Sequence, residues 1–208
     1  MEEACAVFSA KGFRDATIAE ICERAEANIA AVNYHFGDKE SLYNACWRHA
    51  FAVTLAAWPL DQGVDASTAP ADRLRVFVRA FVRRVLSDDV IGQFPHMLVK
   101  EMAEPTAALA AIMDEVVEPQ RRLLHAIIAG LLGSTPDDPR VMACGCSVIS
   151  QCVIFAFNRA MRDRLLQAAG DREALAERVA EHIWRFSMAG IRDCVKWAPP
   201  TPGKGMCP

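Results

Sequence analysis

The sequence predicts an all-α protein: a small three-helix N-terminal unit containing a helix-turn-helix, followed by a larger helical domain. Three observations predict it. Apolar residues recur at three- and four-residue spacing along the 208 residues, and no stretch alternates convincingly like a strand. Capping residues, Gly and Pro punctuate the periodic segments. Between Trp58-Pro59 and Pro70 the composition turns to Gly, Asp, Ser, Thr and Pro, which reads as a linker between a unit of residues 1–57 and one of 58–198. The last residues, 199–208, are Pro/Gly-rich and expected to be disordered.

The elements follow in order. Glu3 to Lys11 reads as a short helix with Cys5 and Phe8 inward, Ala4 a further candidate, ended by Gly12. Thr17 is a good N-cap for "IAEICERA", and Glu20 three residues later completes a capping box. After the connection "EAN", Asn28 caps "IAAVNYHF". Gly37-Asp38 ends that helix, and Asp38 caps the next, "KESLYNACWRHAFAVTLAAW". Two short helices on so short a connection make a helix-turn-helix.

In the second unit, Pro70 to Ser87 is amphipathic, with Leu74, Phe77, Val78 and Val82 on one side and Arg73, Arg79, Arg83 and Arg84 largely on another. Gln93 to Ala103 is the next helix. A longer stretch runs from Glu104-Pro105 to Leu132, which Pro119 must kink or split. "GSTPDDP" is a turn; Arg140 to Gln167 then reads as one long apolar helix, and Asp171 to Lys196 as the last.

Composition narrows the function classes. With 52% hydrophobic residues the chain can build a core. The longest apolar run, Cys144 to Phe157, stops short of the roughly 18 residues a bilayer requires. "MEEACAVF" lacks the basic start of a signal peptide, so the expected location is the cytoplasm, with no membrane partner. The eight cysteines lie mostly in apolar helical patterns and read as reduced, packed thiols. Cys144 and Cys146, two apart on a helix, cannot chelate one ion, so no metal and no cofactor is expected. Five histidines are present, but no HExxH, GxSxG, Gly-rich phosphate loop or CxxC, so no catalytic residue is assigned. The net charge is −3, all of it in residues 1–50, where eight Asp/Glu face five Lys/Arg. Any nucleic-acid contact must therefore use few full cations.

The stretch "NIAAVNYHFGDKESLY" sets Tyr34, His35 and Phe36 side by side, where no single helix face buries all three. Together with Phe8, Gly12-Phe13, Thr17-Ile18, Ile21-Cys22, Ala25, Asn28, Lys39-Glu40 and Leu42-Tyr43, it resembles the TetR/AcrR family of bacterial regulators. The C-terminal part resembles the CecR-like (YbiH-type) subgroup through "LRVFVRAFVRRVL", "LVKEMAEPTAALAAIMDEVVEPQRRLLHAIIAGLLG", "PDDPRV" and "SVISQCVIFAFNRA". Two features depart from the pattern. Met1 falls inside what is usually a longer first helix, so the start lies upstream or the basic leader is missing. The turn reads "AEAN" where the family usually has Ala-Gly-Val-Ser, so Glu26 adds a negative charge close to DNA.

The resemblance implies a ligand-responsive regulator, a repressor in function class, that binds a palindromic double-stranded DNA operator as a homodimer and is released by a small-molecule effector. The helix from Asn28 to Tyr34 would enter the major groove, with Ala30, Ala31 and Asn33 facing bases. Tyr34, His35, Lys39 and Thr17 would reach phosphates, and Phe36 would turn inward. For His35 a buried structural role is the alternative. The effector candidates are His96, Met97, Glu101, Gln151, Phe155, Asn158 and Arg162, polar or aromatic residues among apolar neighbours. The last two long helices would pair with their copies, helped by Ala143, Gly145, Ser147 and Ser150, with ordinary intrachain packing as the alternative. A regulator of the same fold that binds a ligand or protein without DNA is the competing reading.

Overall fold

The computed structural model describes residues 1–196, and the expected tail at 199–208 lies outside them. Among the described residues the chain forms eleven α-helices and no strand. Helix α1 spans Glu2–Asp15 and is broken at Gly12, whose φ of +80° favours glycine. A Cβ there would sit 3.4 Å from the Lys100 Cδ, so the break also lets α1 approach α6 closely. Helices α2 (Ile18–Arg24), α3 (Ile29–Phe36) and α4 (Lys39–Ala57) complete the N-terminal unit. The caps read from the sequence form: Thr17 Oγ1 accepts from Glu20 N at 3.2 Å, Asn28 Oδ1 from Ala30 N at 2.8 Å, and Asp38 Oδ1 from Ser41 N at 2.7 Å. Of the expected capping box the Thr17 half forms, while the Glu20 carboxylate accepts from Lys11 Nζ at 2.7 Å instead of turning back to the Thr17 N–H.

The second unit comprises α5 (Pro70–Leu86), a 3-10 turn (Val90–Gly92), α6 (Gln93–Ala103), α7 (Ala108–Ile112), α8 (Glu118–Leu132), α9 (Pro139–Phe157), α10 (Arg159–Ala169) and α11 (Arg172–Cys194). Between α7 and α8 the backbone widens into one π-helical turn, Met113–Val117. Pro119 stands two residues beyond it, and the wider turn accommodates a residue that cannot donate to the ladder.

Two cores hold the chain. One joins Phe8 of α1 and Tyr43 and Trp47 of α4 to Met97 of α6 and Ile112 of α7. The N-terminal helices thus share their interior with α6 and α7. The other joins Phe77 of α5, Ile128 of α8, Val148 of α9 and Ile183 of α11. Each such fully buried side chain contributes about 1.5–3 kcal/mol relative to exposure. On the outside, Arg75, Arg79 and Arg83 of α5 pair with Glu181, Glu177 and Glu173 of α11.

Five sequence expectations change. The helix expected from 140 to 167 breaks at Asn158, whose Oδ1 caps α10 by accepting from Met161 N at 2.9 Å. Helix α9, 19 residues with a mean hydropathy of 1.7 over its most apolar 18, is long and apolar enough to cross a membrane by length and composition, because it gains the turn before Cys144; only 33% of those 18 residues are buried. Arg84 lies inside rather than on the polar face: it is 4% exposed and donates through Nε to the Trp58 carbonyl at 2.8 Å. Burial lowers its pKa to about 10. Gly145 also faces inward, where a Cβ would meet His125 Nε2 at 3.0 Å. The stretch after Trp58 is itself anchored, with Leu60 in the second core and Arg83 stacked over the Trp58 ring at 4.2 Å.

Candidate nucleic-acid interface

Helix α3 buries no residue fully. Val32 and Phe36, four apart, are half-buried and fasten it to the N-terminal core. Ala30, Ala31, Asn33, Tyr34 and His35 all stand exposed on its outside, Tyr34 at 86%. The Tyr34 and His35 rings meet edge to face, 5.3 Å apart. A bare helix front of two alanines with an amide and two polar rings fits a grooved polar surface. Gly37, at φ +81°, ends the helix where an L side chain is disfavoured.

Thr17 and Asn28 are exposed, and their side-chain oxygens are engaged as caps. Lys39 is half-buried and folds back. Its Nζ donates to the Arg14 carbonyl at 3.1 Å and lies 4.7 Å from the Phe13 ring centroid. Phe13 and Arg14 were not among the sequence candidates; they belong to the α1 end that sits beside the α4 N-terminus. The Ser41 N–H holds the Asp38 carboxyl below its ordinary pKa.

The positive charge of this unit is largely matched. Lys11 pairs with Glu20, Arg24 with Glu3, Arg48 with Glu115, and Arg14 with Glu104 at 3.6 Å. The turn between α2 and α3 holds Glu26 at φ +48°, a left-handed conformation that glycine adopts without strain.

The effector candidates do not gather at one place: the Arg162 N–H donates to the Asn158 carbonyl at 3.0 Å, and one pair meets across helices. His96 Nε2 and Arg162 Nη1 meet at 3.0 Å across 66 positions, and Arg162, 2% exposed, pairs with Asp88 at 2.9 Å. Met97 lies in the N-terminal core and Phe155 against the second core. Glu101 accepts from Tyr43 and Thr106. Gln151 donates to Ser147 O and Ser187 Oγ on α9 and α11, and Asn158 caps α10. An open pocket of about 120 Å³ lies elsewhere, lined by Leu60, Asp61, Arg73, Leu123 and Ile127 among others.

Residues 70–191 match the family described as HTH-type transcriptional dual regulator CecR, C-terminal domain, and residues 1–46 match bacterial regulatory proteins, tetR family. The chain belongs to the TetR family, with a CecR-type C-terminal domain. It is 28% identical over 154 residues to the HTH-type transcriptional dual regulator CecR of Shigella flexneri, covering 70% of this chain and 69% of that one. It is 33% identical over 96 residues to the transcriptional regulator BetI of Burkholderia thailandensis, covering 46% of this chain and 49% of that one. The fold is that of PfmR, a TetR-family regulator from Thermus thermophilus, with a TM-score of 0.63 at 21% identity over 88% of this chain and 96% of that one. A TetR-like regulator from Rhodococcus sp. RHA1 superposes with a TM-score of 0.60 at 21% identity over 88% and 91%. As a TetR-family member the chain is a DNA-binding transcriptional regulator and not an enzyme.

Proposed function

We propose that this TetR-family regulator is a repressor that binds a palindromic operator as a homodimer and is released by a small-molecule effector. The observation that carries the reading is the exposed front of α3, which Val32 and Phe36 fasten to its unit from the other side. Ala30, Ala31 and Asn33 face the major groove; Asn33 suits adenine and the alanines suit thymine methyls. Tyr34 and His35 contact phosphates. Lys39 leaves Phe13 for phosphate, and Thr17 and Asn28 present the first amides of α2 and α3.

Dimerisation uses the outer face of α9 and α11. Met142, Ala143, Ser147, Ser150 and Ile154 on α9 recur at helical spacing and are exposed, as is Phe186 of α11, 65% exposed. An apolar helix with only about a third of its residues buried within one chain fits an isologous four-helix contact. The effector acts where His96 of α6 meets Arg162 of α10. Helix α6 also contributes to the N-terminal core, so a shift there changes the spacing of two α3 helices that must fit grooves about 34 Å apart.

An electrophoretic shift with the regulator's own upstream region tests the reading. A retarded band at low salt that a triple variant of Ala31, Asn33 and Tyr34 abolishes is expected. A folded, dimeric protein that shifts nothing at low salt favours a regulator of the same fold that works without DNA.

A further inference from the structure

We infer that the N-terminal unit carries a site for a soft monovalent metal ion, Cu(I) or Ag(I), formed by the sulfurs of Cys5, Cys46 and Met1 where α1 packs on α4. Cys46 Sγ lies 3.6 Å from Met1 Sδ, and Cys5 Sγ lies 3.5 Å from the Cys46 carbonyl oxygen. Both cysteines are 0% exposed. With metal–sulfur bonds of about 2.3 Å, two sulfurs on one ion stand roughly 3.7–4.0 Å apart. The gap between Cys46 and Met1, 3.6 Å, lies just short of that span.

Two thiols and a thioether are a soft donor set, which selects Cu(I)-like ions over ions that prefer nitrogen or oxygen. Zinc would need a fourth ligand. The third donor of this set is the Met1 thioether beside Cys46. On binding, each ligating thiol releases its proton to solvent. Met1 is 45% exposed, so its flexible side chain provides the way in. A bound ion would clamp α1 to α4 in the unit that carries α3.

The test titrates the full reduced chain anaerobically with Cu(I) in competition with a chromophoric chelator. The expected result is one tight ion per chain with a thiolate-to-copper ultraviolet band. The double variant Cys5→Ser/Cys46→Ser loses that ion, and Cys144→Ser/Cys194→Ser keeps it. Copper-edge absorption on selenomethionine-labelled wild-type protein reads the site without any variant, and a copper–selenium distance beside copper–sulfur is expected. Retention of the tight ion by the folded Cys5/Cys46 variant, a first shell with no selenium, or no uptake ahead of the chelator overturns the site.

Discussion

The phenol of Tyr43 donates to Glu101 Oε2 at 2.8 Å, joining α4 to α6 through two side chains that are each 1% exposed. The second carboxyl oxygen accepts from Thr106 N and Oγ1, both at 2.7 Å. Burial, and then the Glu101 carboxyl, push the Tyr43 hydroxyl far above its usual pKa, so it remains a donor. Helix α4 begins at Lys39 beside the proposed operator surface, and α6 carries His96. The bond therefore ties the DNA-binding unit to the helix on which an effector would act.

Tyr43→Phe removes that donor and leaves a buried acceptor without it, a cost of about 1–3 kcal/mol. A lower urea midpoint at unchanged m-value is expected. The same variant should weaken any effect of the effector on operator binding, because the two units lose a buried side-chain link. Unchanged midpoint and unchanged coupling would show that the bond is incidental.

Lys39→Ala tests the phosphate contact separately from the fold. Its amine now rests on the Arg14 carbonyl and the Phe13 ring, contacts that are half-exposed. Loss of one phosphate contact per subunit should flatten the slope of log K against log salt by about 0.9 for each contact removed. The urea midpoint should shift little. Fluorescence anisotropy of a labelled operator at several salt concentrations reads the slope, and an unchanged slope removes Lys39 from the interface.

Much of this architecture was legible in the sequence because capping is local. Thr17, Asn28, Asp38 and Asp171 each satisfy a backbone N–H two or three residues on, and each marks a helix start. The break at Asn158 was not legible, since an asparagine inside an apolar run carries no Gly or Pro beside it. The burial of Arg84 was hidden as well, because its partner is a backbone carbonyl 26 residues away. Of the effector candidates, His96 and Arg162 share a site only through the packing of α6 on α10. No periodicity reports such a contact. The eight DNA candidates came from a dense local pattern, and α3 does present its five on one exposed surface.

Glu26→Gly should stabilise the chain and tighten operator binding together. Glu26 sits at φ +48°, where an L residue carries a cost of roughly 1–2 kcal/mol that glycine avoids. Glycine gives part of that back through a more flexible unfolded chain, leaving a net gain of about 0.5–1 kcal/mol. The lost carboxylate also removes repulsion from phosphate, so the affinity gain should be largest at low salt. Thermal midpoints and anisotropy titrations at two salt concentrations check both parts.

Phe186→Glu addresses the dimer. Phe186 is 65% exposed on α11, and its ring neighbours His182 at 6.2 Å between centroids. A carboxylate there costs the isolated chain little, because the ring is mostly uncovered within one chain. In an isologous pair the same charge is placed on both copies of the contact and must be desolvated. The variant should elute and sediment as a monomer with unchanged helical content. It should also lose the operator affinity gained from two half-sites. If light scattering shows the same mass for the variant as for the wild-type protein, the face of α9 and α11 is not the dimer contact.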